Sequence, residues 1–291
     1  MRFGFVFTLL WGILPAHAAT IYVTASGNAS FDSNLQSALQ AFGHSVTLGV
    51  NYQSFDGTQS LAGFDAVYLQ VNYIWMVDMP AGGQTELVNF VNSGGGLVTT
   101  EWLVWSTAGG TRFTTLNPIL PVDPTPYFDS LTPVTFNQDV PDPALNAGLG
   151  ASFTMSLENI GGTRTCFTTA RTGASSFYTM DGGYIGLAGW DVGSGHVLSF
   201  ATTNGQAQLD DPDFQRLLSN SMDWASGAPS AVPEPGALTL ILSGAGLLLL
   251  RRALWQAAKP RPAGRQGKSP GDSEFLSGAK ARLHPGAYAE S

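Results

Sequence analysis

Short apolar segments alternate with amphipathic ones through the first hundred residues of the chain. Four short apolar runs predict strands: Thr20–Thr24, Val46–Val50, Ala66–Val71 and Leu97–Thr100. Two segments between these runs have helical spacing and end at glycine: Leu35–Phe42 before Gly43, and Thr85–Val91 before Gly94–Gly96. Strands that alternate with helices predict a mostly parallel sheet covered on both faces and joined by right-handed crossovers. We therefore expect an α/β fold of three layers, of the flavodoxin-like type.

The second half of this region is richer in strand signals, which are separated by glycine-containing turns. Five further strands are predicted at Val134–Phe136, Thr165–Thr169, Ser176–Thr179, Tyr184–Ala188 and His196–Phe200. A closing helix is predicted over Asp213–Trp224, because its apolar residues fall on one face. We expect one domain over residues 19–225, followed by a linker over residues 226–235 that is rich in Ser, Pro and Gly.

The N-terminus has the features of a secretory signal peptide. Arg2 precedes an apolar run, and the run is followed by Ala16-His17-Ala18, whose small residues suit signal peptidase. The run is short for a membrane span. We therefore expect residues 1–18 to be removed and the mature protein to begin at Ala19.

A second apolar block, Gly236–Leu250, lies near the C-terminus. It carries no charge and is followed by Arg251 and Arg252, so a single membrane helix is predicted over residues 236–252. The two arginines are expected on the cytoplasmic side, which places the preceding domain outside. Residues 253–291 are rich in Pro, Gly, Lys and Arg, a composition that predicts a disordered basic tail.

Three features in order, Pro233-Glu234-Pro235, the apolar block and Arg251-Arg252, resemble the PEP-CTERM sorting signal of Gram-negative bacteria. The resemblance implies that an exosortase, a membrane transpeptidase, processes the protein near the Pro-Glu-Pro motif. It also implies an inner-membrane anchor during sorting and then a place at the cell surface or in the extracellular exopolysaccharide matrix. Members of that family usually end within a few residues of the arginines, whereas this chain continues for 39 more.

Charge is distributed unevenly along the chain. Residues 19–230 hold four Arg and no Lys against seventeen Asp and Glu, a net charge of −13, whereas residues 251–291 carry +5. Such a domain repels nucleic acid and anionic membrane surfaces, while neutral glycans, cations and basic partners stay open. Cys166 is the only cysteine, so no intramolecular disulfide forms, and a buried structural thiol is favoured over a nucleophile.

Several segments of the domain resemble the class I glutamine-amidotransferase-like fold, in particular its trehalose-utilisation-type branch. The resemblance rests on residues 34–39, 43–47, 64–69, 87–97 and 193–197, and on a helix that ends Asp223-Trp224-Ala225. An active amidotransferase of this fold has a cysteine at a sharp strand-to-helix turn and a histidine base. Here that turn reads Thr99-Thr100-Glu101-Trp102, so the resemblance implies the fold without the nucleophile.

Other catalytic signatures are also missing from the sequence of the mature domain. It has two histidines, His44 and His196, and each is predicted to be a surface or strand-edge residue. No Gly-x-Ser-x-Gly motif occurs, and two histidines are too few for a typical zinc site. No cofactor is therefore expected.

A binding site can be placed without an activity, because ligands of open parallel sheets bind beyond the carboxyl ends of the strands. The candidate residues at those ends are Ser26, Asn28, Asn72, Trp75, Glu101, Trp102 and Trp105. Aromatic rings beside acids and amides can stack on sugar rings and bind their hydroxyl groups. The alternative is that the tryptophans pack a loop against the sheet and that Glu101 caps a turn.

Asp210, Asp211 and Asp213 form a weaker candidate, since their oxygens could bind calcium outside the cell. The favoured interpretation is that they cap the final helix. Two functions stay open. One is a non-catalytic binding or structural module, and the other is an enzyme on extracellular carbohydrate that uses Glu101 with a second carboxylate such as Asp191. The enzyme needs the two carboxyl groups within roughly 5 to 10 Å of each other.

Overall fold

The computed structural model describes residues 18–74, 77–129, 133–156 and 165–227. Strands and helices alternate in the first half: β1 (Thr20–Ala25), α1 (Ala29–Ala41), β2 (Ser45–Asn51), β3 (Ala66–Leu69), α2 (Ala81–Asn92), β4 (Gly96–Thr99) and α3 (Glu101–Thr107). The second half begins with β5 (Val122–Asp129), β6 (Val134–Gln138), β7 (Ser152–Met155), β8 (Thr165–Ala170) and β9 (Ser175–Met180). It ends with β10 (Ile185–Val192), β11 (Gly195–Phe200), α4 (Gln206–Leu209) and α5 (Pro212–Ala225).

Nine of the described strands form one sheet in the order β2-β1-β3-β4-β11-β10-β9-β6-β7. The strands β2, β1, β3, β4 and β11 are parallel, whereas β10, β9, β6 and β7 continue the sheet with antiparallel pairings. The α/β class is confirmed, and so is the enrichment of strands in the second half. The sheet is mixed because β9, β10 and β11 follow one another through short turns, which favour antiparallel pairing, and β6 and β7 extend the sheet beyond β9.

Helices cover both faces of the parallel strands because the side chains of each strand alternate between two hydrophobic cores. In β4, Val98 belongs to the core beneath α1 and α5, whereas Leu97 belongs to the core beneath α2 and α3. β3 follows the same rule with Tyr68 on the first side and Val67 on the second. This period of two places one apolar set on each face of these strands, and each set packs against a different pair of helices.

The glycines Gly94–Gly96 end α2 and allow a close approach of α5. Gly94 has a φ of +111°, a conformation that side chains disfavour, and it follows Ser93, the C-cap of α2. A Cβ atom on Gly96 would overlap Ala225 near the end of α5, and one on Gly95 would overlap the ring of Phe90. The amino end of β4 therefore accepts only glycine where α5 crosses it.

Several predicted segments lie outside the described residues. They are the signal peptide, the sorting motif Pro233-Glu234-Pro235, the apolar block with Arg251 and Arg252, the tail over residues 253–291, and Trp75. Among the residues that the structure does describe, no helix has the length and apolar character needed to span a membrane.

Candidate functional site

The carboxyl ends of four parallel strands meet at one edge of the sheet. Their registers align Leu69 of β3 and Ser199 of β11 with Thr99 of β4, and Val23 of β1 with Tyr68 of β3. The strands are followed by polar side chains that are almost completely buried: Ser26, Gln70, Asn72, Thr100, Glu101, Thr202, Thr203 and Asn204. This buried polar layer occupies the edge at which the sequence predicts a site.

Hydrogen bonds inside the polar layer link the ends of neighbouring strands. The Asn72 amide donates to the backbone oxygen of Asn204 at 2.9 Å and to the side-chain oxygen of Gln70 at 3.1 Å. The Gln70 amide donates in turn to the backbone oxygen of Thr24 at 2.9 Å. The Asn72 side-chain oxygen is buried and has no hydrogen-bond partner among the described residues. The hydrogen bonds of the layer therefore link the ends of β1, β3 and β11 and leave the side-chain oxygen of Asn72 as an unused acceptor.

Glu101 occupies the first position of α3, directly after β4. Its side chain is 0% exposed, and its backbone N–H donates to the oxygen of Thr202 at 3.2 Å. Neither carboxyl oxygen has a hydrogen-bond partner among the described residues. Burial without a compensating cation raises the pKa of the Glu101 carboxyl well above its ordinary value. The site therefore favours the protonated, uncharged acid.

The turn between β4 and α3 has relaxed backbone geometry. Thr100 adopts an extended conformation with φ of −112° and ψ of 166°, and the helix begins at the next residue. Among non-glycine residues of the described chain, positive φ occurs at Phe113 and not at this turn. A nucleophile elbow holds its nucleophile on a sharp, strained turn. Cys166 lies elsewhere, in β8, where its backbone is paired with Phe128 of β5.

The predicted tryptophans differ in exposure. Trp102 is 2% exposed and belongs to the core beneath α2 and α3, whereas Trp105 is partly buried at the edge of that core. Their rings meet edge to face with centroids 5.2 Å apart. Trp102 is therefore a packing residue, as in the alternative interpretation of the tryptophans. Trp105 retains partial access to solvent.

Ser26 and Asn28 are brought together in the turn that begins α1. The Asn28 side-chain oxygen accepts hydrogen bonds from the N–H groups of Ser30 and Phe31, both at 3.2 Å, so Asn28 is an N-cap. The backbone N–H of Ser26 donates to the two carboxylate oxygens of Asp32 at 2.9 and 3.2 Å. The Asn28 side-chain oxygen and the Ser26 backbone N–H therefore hold the start of α1 in place.

The aspartates near residue 210 surround the start of α5. Asp211 accepts hydrogen bonds from the N–H groups of Asp213 and Phe214 at 2.9 and 3.0 Å, which makes it the N-cap of the helix. Asp210 accepts from the amide of Gln206 at 2.7 Å. Within the described ranges, no three His, Cys, Asp or Glu side chains are grouped as metal ligands. The capping interpretation accounts for Asp211 directly.

Asp191 lies at the opposite edge of the sheet from Glu101, so the carboxylate pair suggested by the sequence does not form. Asp191 is aligned with His196 of β11, and His196 is aligned with Gly96 at the amino end of β4. Glu101 is five positions after Gly96, which at about 3.3 Å per residue is roughly 16 Å along the strand direction. The Asp191 side chain is 79% exposed and accepts from Nδ1 of His196 at 2.7 Å. The prediction failed because β10 runs antiparallel, which reverses the order of its ends.

Sequence reasoning also missed two buried polar residues. His44 is 5% exposed, rather than at the surface, and its Nε2 is 2.8 Å from Oγ of Ser219 in α5. Asn204 accepts a hydrogen bond from the Tyr68 hydroxyl at 2.8 Å when its amide is oriented to satisfy its neighbours. The polar run Thr202–Asn204 after an apolar strand was the available signal for Asn204, because it matches the pattern at the other strand ends.

The fold is similar to that of solved ThuA-like proteins. A ThuA-like protein from Parabacteroides merdae is similar over 73% of this chain and 91% of its own, with a TM-score of 0.52 and 15% identity. A cytoplasmic protein from Salmonella typhimurium is similar over 72% of this chain and 99% of its own, with a TM-score of 0.54 and 13% identity. A β-galactosidase from Rahnella sp. R3 shares the fold over 32% of its length, with a TM-score of 0.50 and 20% identity.

No family model and no curated protein matches the sequence. The neighbours therefore define the fold, and the chemistry has to be argued from the residues of this chain.

Proposed function

We propose that this chain is an exported protein whose amidotransferase-like domain binds a ligand or supports a structure without catalysing a reaction. The observation that carries the proposal is the state of Glu101. This residue stands at the strand-to-helix turn where the fold places a nucleophile, and its carboxyl group is completely buried. A buried, uncharged acid behind a relaxed turn is poorly suited to attack a substrate or to accept a proton from one.

The enzymatic alternative requires a second carboxylate near Glu101. A raised pKa at Glu101 would suit a general acid, but a glycosidase also needs a base or nucleophile roughly 5 to 10 Å away. Asp191 stands about 16 Å along the strands from Glu101. Asp32 lies in the first turn of α1, where both of its carboxylate oxygens accept from the backbone N–H of Ser26. The residues at the strand ends therefore support binding or scaffolding better than hydrolysis.

The two ends of the chain supply the proposed location. The signal peptide directs export, and signal peptidase cleaves after Ala18. The apolar block then anchors the protein in the inner membrane with the domain outside, and an exosortase recognises Pro233-Glu234-Pro235. The final location is the cell surface or the extracellular matrix, where exopolysaccharide is the proposed partner and calcium an additional candidate ligand. The charge of −13 on residues 19–230 argues against a nucleic-acid partner.

Two hydrolysis assays test the absence of catalysis. We expect the purified protein to release no ammonia from glutamine and no sugar from a panel of glycosides. Its background rates should equal those of the Glu101→Gln variant. Cys166→Ser is the control for an unexpected thiol nucleophile, because Cys166 is the only cysteine. Activity that disappears in either variant would show that the domain is an enzyme.

Location is tested separately from catalysis. Mass spectrometry of the exported protein should find an N-terminus at Ala19, and replacement of Pro233-Glu234-Pro235 by three alanines should hold the unprocessed form in the membrane fraction. An intact Met1 on cytosolic protein would contradict export. Equal release of the parent and the alanine variant would contradict sorting by an exosortase.

A further inference from the structure

A groove of about 410 Å³ opens at the amino ends of β3 and β4, the edge of the sheet opposite the buried polar layer. One wall is the loop that leads into β3 and includes Phe64 and Asp65, and the other is the last two turns of α2. Glu86, Asn89, Phe90 and Ser93 share this face of α2 because they recur at helical spacing. The volume falls within the range of roughly 300–1,000 Å³ that is typical of small-molecule sites.

The walls of the groove are held in place by contacts to the sheet. The Asp65 carboxylate accepts a hydrogen bond from the backbone N–H of Thr20 at 2.7 Å through Oδ2. The Phe64 ring meets the Tyr22 ring edge to face with centroids 5.3 Å apart. The Phe90 ring occupies the space that a side chain at position 95 would need, so Gly95 lets it lie flat against the backbone. The groove is therefore built before any ligand binds.

The groove has a negative potential from three sources. Asp65 and Glu86 supply two carboxylates, and none of the lining residues is Lys, Arg or His. The C-terminal end of α2 lies at the same place and has no basic residue in its last turn. A helix C-terminus carries roughly half a negative charge, which adds to that of the carboxylates. The domain around the groove is also acidic overall, with a net charge of −13 over residues 19–230.

We propose that this groove binds a saccharide unit that carries a protonated amine. The carboxylates of Asp65 and Glu86 receive the ammonium group, and Asn89 and Ser93 offer hydrogen-bonding groups to hydroxyls. Phe64 and Phe90, both partly buried, present ring surface to the C–H face of the sugar. Hydroxyl-binding groups beside the carboxylates favour an amino sugar over a simple cationic peptide. This inference deepens the proposed binding function and rests on it.

The test measures binding of glucosamine tetramer to the full-length protein in mild detergent, with the fully N-acetylated tetramer as the matched ligand. Acetylation removes the charge and keeps the sugar frame. We expect the amine form to bind at least several-fold more tightly and to weaken as salt rises. Glu86→Gln should weaken it by about three- to fivefold, since an exposed ion pair contributes up to about 1 kcal/mol.

Two further variants keep the test independent of folding. Ala62→Arg places a positive charge at an exposed position of the groove and should also reduce binding of the amine form. Asp139→Asn is the control, because it removes one exposed carboxylate near β6, four strands from β4 and roughly 19 Å away at 4.8 Å per strand. It should bind like the parent.

The outcomes separate this inference from the proposed function. Equal binding of both tetramers, tighter binding of tetralysine, or insensitivity to Glu86→Gln and Ala62→Arg would overturn the amino-sugar site. If the domain instead bound neutral glycans unaffected by these variants, the proposed binding function would stand and the groove would be excluded as its site.

Discussion

Replacement of Glu101 by glutamine should make the protein more stable at neutral pH and remove a pH dependence. Burial raises the pKa of this carboxyl in the folded protein above the ordinary value of 4.5, so the folded state retains a proton that the unfolded state releases. The free energy of unfolding therefore falls as pH rises above about 4.5, by at most about 1.4 kcal/mol per pH unit, until the pKa of the folded state is passed. Glutamine has the same shape and does not titrate in this range.

A second substitution distinguishes the effect of the Glu101 proton on stability from the cost of the two carboxyl oxygens that lack hydrogen-bond partners. Glu101→Met also removes both buried oxygens, each of which costs about 1–3 kcal/mol when it has no partner. We expect methionine to stabilise the protein at least as much as glutamine and to show the same flat pH response.

The measurement is urea unfolding followed by tryptophan fluorescence at pH 5, 6, 7 and 8 and constant ionic strength. The informative quantity is the difference between each variant and the parent, because other groups titrate in the same range. That difference should grow with pH for both variants. Parallel curves for the parent and Glu101→Gln would show that the carboxyl is not buried in an uncharged form, and the argument against catalysis would fall with it.

Four other substitutions test the packing of the domain. Burial lowers the pKa of His44 below 6.5, so the unfolded state binds a proton at a higher pH than the folded state does. The free energy of unfolding therefore falls as pH falls below about 6.5. His44→Phe should flatten that loss in urea titrations. Gly96→Val should lower the melting temperature sharply, because its Cβ would overlap Ala225, and an unchanged melting temperature would contradict the close approach of α5. Trp102→Ala should cost about 3–5 kcal/mol of unfolding free energy and Trp105→Ala clearly less, as equilibrium unfolding would reveal.

Much of the parallel half of the fold can be predicted from sequence because its apolar pattern is strong. The closing helix was predicted over Asp213–Trp224 and spans Pro212–Ala225, since an N-cap and an apolar face define it. The segment Glu101–Thr107 was not predicted as a helix, because most of its residues are buried and no amphipathic period remains. The strand Val122–Asp129 was also missed, since Pro124 is unfavourable in a central strand but tolerated in the separate β5–β8 pair.

The candidate site shows a different limit of sequence reasoning. The position of Glu101 at a strand end follows from the order of strands and helices, and the structure places it there. Its complete burial depends on neighbours that are distant in sequence, including Thr202 after β11. The groove beside Asp65 and Glu86 has no sequence motif, because its walls come from a loop and a helix that are about twenty residues apart in the sequence.

The place of β11 in the sheet has a consequence for how the chain folds. β11 lies between β4 and β10, about a hundred residues after β4 in the sequence, so the two halves of the sheet cannot join until Gly195–Phe200 has emerged. Contacts of such long sequence separation slow folding, because the intervening chain must be ordered before they form. A domain whose sheet is completed by a late central strand stays incompletely folded longer during synthesis. Until β11 is in place, the facing edges of β4 and β10 are unpaired, so chains truncated before residue 195 are expected to aggregate.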